Sequence, residues 1–293
     1  MEHNPSMQDG ARTVKDVVIP DSVSDGAGVK LWRSIATRTL DNIDPFLLLD
    51  EFRSDNPDDY IAGFPMHPHR GIETVTYMIA GEVQHRDSMG NSGVVGPGDV
   101  QWMTAGRGIL HEEMPKQQAG LLAGFQLWVN LPARNKMMPP RYQYIPSHSI
   151  PTVTRPDGTR IRIITGTVDG TTGPVKDIVA EPLYLDVSVA SDTDFQQEVP
   201  QHHAAFAYVF EGAGTFGISS DNAGRMCAAP ALVIFNEGDV VRVRAGASGV
   251  RFLFVAGRPI GEPIARYGPF VMNTRAEIQQ VLRELQAGTF PPA

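Results

Sequence analysis

Short apolar runs of strand length, punctuated by turn residues, recur along the chain. Thr74 to Ile79 is dense in β-formers, and Phe125, Leu127, Val129 and Leu131 alternate with Gln126, Trp128 and Asn130, the two-residue period of a strand. Pro45 to Asp50 is a compact apolar run, and the roughly forty residues before it read as an arm. Gly90-Asn91-Ser92-Gly93 and Gly96-Pro97-Gly98-Asp99 mark turns. Strands are predicted again at Ile161–Ile164, Leu183–Val189, Phe206–Phe210, Ala231–Phe235, Val240–Val243 and Val250–Val255. Leu183, Leu185, Val187 and Val189 share a face, which predicts a half-buried strand. The proline-rich stretch from Pro132 to Pro151 reads as an interdomain crossover.

The halves echo one another. Tyr77 to Gly81 is followed by Gly98-Asp99-Val100, and Tyr208 to Gly212 by Gly238-Asp239-Val240. A strand ending at glycine, then Gly-Asp before the next strand, predicts two sandwich or jelly-roll units with an insertion in the second copy. The end is helical: Thr274 and Glu277 fit a capping box, Ile278, Val281, Leu282 and Leu285 follow at helical spacing, and Gly288 suits the stop. This helix is expected to pack on the second β unit.

Composition supports a turn-rich β protein. The 293 residues include 29 glycines and 23 prolines, against about 35 for the pair at average usage of roughly 12%. The formal charge of −8 argues against direct binding to nucleic acid, which normally demands a basic footprint. No apolar run approaches a membrane span, and Met1 to Gly10 has no apolar region of a secretory signal. A cytoplasmic location is expected. The single cysteine, Cys227, cannot pair within the chain, and is expected as a small apolar filler.

The histidines carry the chemistry. His67-Pro68-His69 precedes the Thr74–Ile79 strand, and residues two apart in an extended segment point the same way, so both imidazoles can converge on one ion. His111-Glu112-Glu113 offers a second such pair, His111 and Glu113, with Glu112 facing away. Three imidazoles and a carboxylate suit a borderline divalent ion, Fe(II), Mn, Co, Ni or Zn. His202-His203 are adjacent and point to opposite faces of a strand, so the second half is expected to be metal-free. His3, His85 and His148 have no partner at ligand spacing and are expected to face solvent.

Gly63-Phe-Pro-Met-His67-Pro-His69-Arg-Gly-Ile-Glu73-Thr and Gly106-Arg-Gly-Ile-Leu-His111-Glu-Glu-Met-Pro115 resemble the pirin family of the cupin superfamily. Asp44 to Phe52 and Gly268 to Thr274 resemble further pirin signatures, so the likeness spans residues 31 to 280. It implies an all-β bicupin, two tandem jelly-roll β-barrels with a short C-terminal helix. Residues 1–135 would be the metal-binding cupin, and 136–293 a metal-free cupin that carries the helix. It also implies Fe(II) held at His67, His69, His111 and Glu113. A general cupin would use Glu73 instead. Here Glu73 is left as a partner of an imidazole N–H or of Arg70 or Arg107.

Pirin-like proteins of the bacterial type include quercetin 2,3-dioxygenases, so the resemblance implies a metal-dependent oxidoreductase. It would open the flavonol ring with O2, with Glu113 as catalytic base and residues such as Phe125 and Trp128 lining a pocket for a flat aromatic substrate. The alternative it implies is an iron-binding regulator that docks to a transcription factor or metabolic enzyme.

Overall fold

A computed structural model describes residues 10–117 and 119–291. The chain forms two compact units. One holds the residues up to Pro20, Pro151–Gly173 and Glu181–Pro259; the other holds Asp21–Ile150, Pro174–Ala180 and Ile260 onward.

The second of these bears the histidine pairs. Its larger sheet has seven strands, in the order Arg141–Ile145, Val100–Thr104, Ile72–Ala80, Leu122–Asn130, Phe46–Ser54, Val29–Ile35, Asp21–Asp25. A four-stranded sheet runs Phe64–His69, Ile109–Pro115, Val83–Asp87, Ser92–Val95. Every pairing is antiparallel. These are open sheets in a jelly-roll sandwich, not the closed barrels expected. The presumed arm contributes two strands of the larger sheet, and Arg141–Ile145, inside the presumed crossover, pairs with Val100–Thr104. Asp21–Asp25 and Arg141–Ile145 lie at the two edges of the sheet, and Val29–Ile35, whose Val29 and Leu31 are buried, lies between Asp21–Asp25 and Phe46–Ser54.

The other unit is built on a nine-stranded sheet, with Thr167–Val168 and Thr171–Thr172 forming a separate two-stranded one. Val240–Val243 and Val250–Val255 prove to be parts of one strand, Val240–Gly257, which pairs along its length with Ala204–Phe216. Leu183–Val189 is buried on both faces except at Ser188, because it lies inside the sheet. Phe195, Phe216, Phe252, Phe254 and Cys227 fill the interior, each large side chain contributing about 1.5–3 kcal/mol by leaving water. Arg12 is buried there and donates to the carbonyls of Gly238, His203 and Pro200, each at 2.8 Å.

The helix, Arg275–Gln286, has the expected capping box and a Gly288 at φ +67°. Its location corrects the sequence reading. Ile278 and Val281 pack with Phe270 and Met272, and Glu284 pairs with Arg70 at 2.6 Å, so helix and histidine strands share a unit. These residues lie far from the histidine strands in the chain. The contacts follow where their apolar stripe finds cover.

Candidate metal centre and cavity

Antiparallel pairing of Phe64–His69 with Ile109–Pro115 sets His111 opposite His67 and Ile109 opposite His69. The three rings come together, with centroids 4.3 to 5.0 Å apart. The exit of the His67–His69 strand is pinned from several sides. Arg70 donates to the Arg107 carbonyl at 2.5 Å and to Glu284, while Lys136 Nζ holds the Gly71 carbonyl at 2.9 Å. Gly71 has φ +79°, and a Cβ there would run into the Val271 carbonyl, so the tight approach requires glycine.

The tautomers are fixed by these surroundings. His67 Nδ1 lies 2.8 Å from the Pro65 carbonyl and His69 Nδ1 lies 3.4 Å from the Pro269 carbonyl. A carbonyl only accepts, so each Nδ1 is the donor, and in the neutral ring the Nε2 is then the nitrogen left for a metal ion. The two Nε2 atoms face each other at 3.1 Å. The spacing is what two imidazoles at right angles around one ion would show, about 3 Å for bonds of about 2.1 Å. His111 is buried with neither ring nitrogen partnered, and donor atoms of all three rings lie within 4.8 Å of one another. Burial, with His67 nearby, holds His69 down to about 3, and burial likewise keeps His111 well below the usual imidazole range. Both are therefore neutral at pH 7, the form a metal ion requires. The donor set fits a divalent ion.

Glu112 and Glu113 diverge as strand geometry expects. Glu113 is buried, and its Oε1 accepts from Thr76 at 2.7 Å and from Gln101 at 3.1 Å. That leaves Oε2 available. Donor atoms of Glu113, His85 and His111 also lie within 4.8 Å of one another. His85, expected in solvent, is instead fully buried, 3.2 Å from Asp87 and stacked on Tyr142. Asp87 is itself fixed by the backbone amides of Met89 and Asn91. The missed signal was the His85-Arg86-Asp87 spacing, which puts imidazole and carboxylate on one face of a strand.

Glu73 fulfils neither role left open for it. Thr76 reaches Glu113, so Glu73, an odd number of residues away on the same strand, faces the opposite side. The positive φ at Gly71 ends the first extended segment before Glu73 is reached. Glu73 is buried and accepts from Thr104 at 2.7 Å; burial pushes its carboxyl up to about 7. His148 and His202 are exposed and His203 is partly so. His3 and most of Met1–Gly10 lie outside the described residues.

His67, His69, Thr76 and Glu113 line a cavity of about 530 Å³ whose other walls include Leu31, Leu48, Phe52, Phe64 and Trp128. Trp128 stands edge-on to His69 with ring centroids 5.0 Å apart. Phe125 lies on the other face of its strand, stacked on Tyr77. Two cations also line the cavity, Arg33 and Arg266; nothing in their sequence spacing marked them. No described helix is long and apolar enough to cross a membrane.

Residues 28–129 match the family model described as Pirin, and residues 184–291 the one described as the Pirin C-terminal cupin domain. A pirin-like protein of Caulobacter vibrioides is 45% identical over 95% of this chain and 99% of its own. A quercetin 2,3-dioxygenase structure from Acinetobacter baumannii superposes with a TM-score of 0.87 at 33% identity, covering 96% of this chain and 99% of that one. An Escherichia coli bacterial pirin in complex with nickel(II) shares the fold at a TM-score of 0.64 and 20% identity, over 83% of this chain and 98% of its own. Motifs read from the residues, a jelly-roll sandwich that brings them together and matches over both halves agree, and this chain belongs to the pirin family.

Proposed function

We propose that this protein is a metal-dependent dioxygenase that opens the ring of a flavonol-like substrate with O2, its ion held by His67, His69, His111 and Glu113. One observation carries the reading: the Nε2 atoms of His67 and His69 meet at 3.1 Å while each ring's Nδ1 faces a backbone carbonyl, and they border a mostly apolar cavity large enough for a flat aromatic molecule. The Acinetobacter relative named as a quercetin 2,3-dioxygenase supports the substrate class, and the donor set is compatible with Fe(II), Mn, Co, Ni or Zn.

When bound, the ion would supply Lewis acidity, lowering the pKa of a coordinated hydroxyl and giving O2 and substrate a common centre. The protein's own groups do the rest. Thr76 and Gln101 hold Glu113 by Oε1, so Oε2 is the atom placed to accept the substrate's hydroxyl proton. Trp128, Phe52, Phe64 and Leu48 offer flat apolar walls that orient an aromatic ring and exclude water.

Metal analysis of protein purified without added metal, followed by aerobic turnover of quercetin, tests the reading. About one ion per chain and turnover above that of the free metal ion are expected. Full metal with no turnover would refute the enzyme and leave a metal-dependent binding protein.

A further inference from the structure

Arg266 stands out among the charged groups of the cavity wall. Arg33 is committed: it forks onto Asp50 at 2.8 and 2.7 Å and reaches Asp25 at 2.7 Å. Arg266 makes no hydrogen bond to a carboxylate among the described residues, and Asp41, Asp50 and Asp25 act on it only electrostatically. Its Nη1 donates to the Leu47 carbonyl at 3.2 Å, its Nε makes a long contact of 3.4 Å to the Gly268 carbonyl, and its guanidinium carbon lies 4.9 Å over the Trp128 ring. Nη2 has no acceptor among the described residues. Trp128 meets His69 edge-on, so the guanidinium lies within about 10 Å of a candidate metal ligand, inside the span of a two-ring aromatic molecule.

The charge balance of the wall points the same way. Asp25, Asp50 and Glu113 against Arg33 and Arg266 leave one net negative charge among the lining residues. A bound divalent ion turns that to one net positive charge. A neutral ligand would leave it uncompensated; a monoanion cancels it.

We propose that Arg266 is a specificity-determining residue and that the substrate is a planar aromatic anion, whose carboxylate or phenolate oxygen the guanidinium receives while its ring lies along Trp128. This rests on the cavity being the substrate site and deepens the dioxygenase reading by naming the charge of the ligand.

The test is equilibrium binding to Fe(II)-loaded protein under anaerobic conditions, where no ring opening occurs. The probes are 2-naphthoate, its neutral isostere 2-naphthamide, and quercetin. Arg266→Met keeps an apolar stem on Trp128, and should weaken 2-naphthoate by about ten- to a hundred-fold while moving 2-naphthamide less than about two-fold. Arg266→Lys should restore part of the loss. If phenolate is the natural group, the cost of Arg266→Met on quercetin grows with pH as the flavonol ionises; if carboxylate is, the cost on quercetin stays small at every pH. Equal loss for the acid and the amide, no loss for the acid, or no binding of 2-naphthoate by the parent protein would each overturn the proposal. Arg266-dependent anion binding without flavonol turnover would refute the catalytic reading alone. Ring opening by an Arg266→Met variant that binds 2-naphthoate as tightly as the parent would refute the Arg266 assignment alone.

Discussion

Glu112 and Glu113 are adjacent carboxylates on opposite faces of one strand: Glu112 receives Arg86 at 2.6 Å on the outer side, and Glu113 receives Thr76 at 2.7 Å on the inner side. The pairing of Ile109–Pro115 with Val83–Asp87 runs without a break through both residues and keeps the alternation there, while the register shift between His111 and Glu113 falls on the side of Phe64–His69. Arg86 is largely exposed, and such a surface pair is worth about 0–1 kcal/mol. Glu112→Gln should leave metal content, melting temperature and turnover close to those of the parent. A large drop in metal content in this variant would contradict the outward placement.

Glu113→Gln keeps the size of the side chain and removes its charge and proton affinity. Metal should survive in part on three imidazoles. Ring opening per bound ion should fall by about 10²–10⁴-fold, the usual contribution of a general base. Raising the pH should recover some of the rate, because more substrate arrives ionised. A loss fully accounted for by missing metal would leave Glu113 as a ligand only.

His69→Ala removes one of the two facing lone pairs. Elemental analysis should show most of the metal gone while circular dichroism keeps its β signature, because the sheets rest on apolar burial elsewhere. Retention of a full equivalent would refute the ligand assignment.

Gly71→Ala tests the corner that aims His69. The positive φ and the Val271 carbonyl leave no room for a methyl group, and the Val271 amide donates to the Arg70 carbonyl at 3.1 Å across the same contact. The variant should lose more than about 1 kcal/mol of stability and bind metal more weakly, measured by denaturant titration and metal analysis. Parental values for both would show the corner to be tolerant.

Glu73 supplies a pH dependence of known sign. Its carboxyl is pushed up to about 7 by burial, against an ordinary value of 4.5. The neutral form favours the fold, so this contribution is complete below about pH 4.5 and is lost as pH rises through about 7. The loss is about 3 kcal/mol at most. Glu73→Gln should flatten the fall in the urea midpoint between pH 5 and 8. An unchanged slope would assign that pH dependence to other groups.

The local chemistry was legible along the chain because strands impose a two-residue period on whatever they carry. That period brought His67 with His69, set His111 with Glu113 against Glu112, and marked Leu183–Val189 and Ala231–Phe235 at their observed bounds. The capping box at Thr274 is equally local. Whatever depended on contacts between distant segments was not legible. His85 has a one-sided pattern, but its burial comes from Tyr142, a strand of the other sheet. Glu73 keeps the even spacing of His67 and His69, yet a single positive φ at Gly71 puts it on another face. The helix has its apolar stripe in the sequence, but its packing on Phe270 and Met272 and the meeting of Arg70 with Glu284, 214 residues apart, fix the unit it covers. Arg266 acquires meaning in the same way, from a cavity wall whose other members lie far away in the chain. Periodicity is a property of neighbours in sequence; burial, charge balance and the exit of a lone pair belong to neighbours in space.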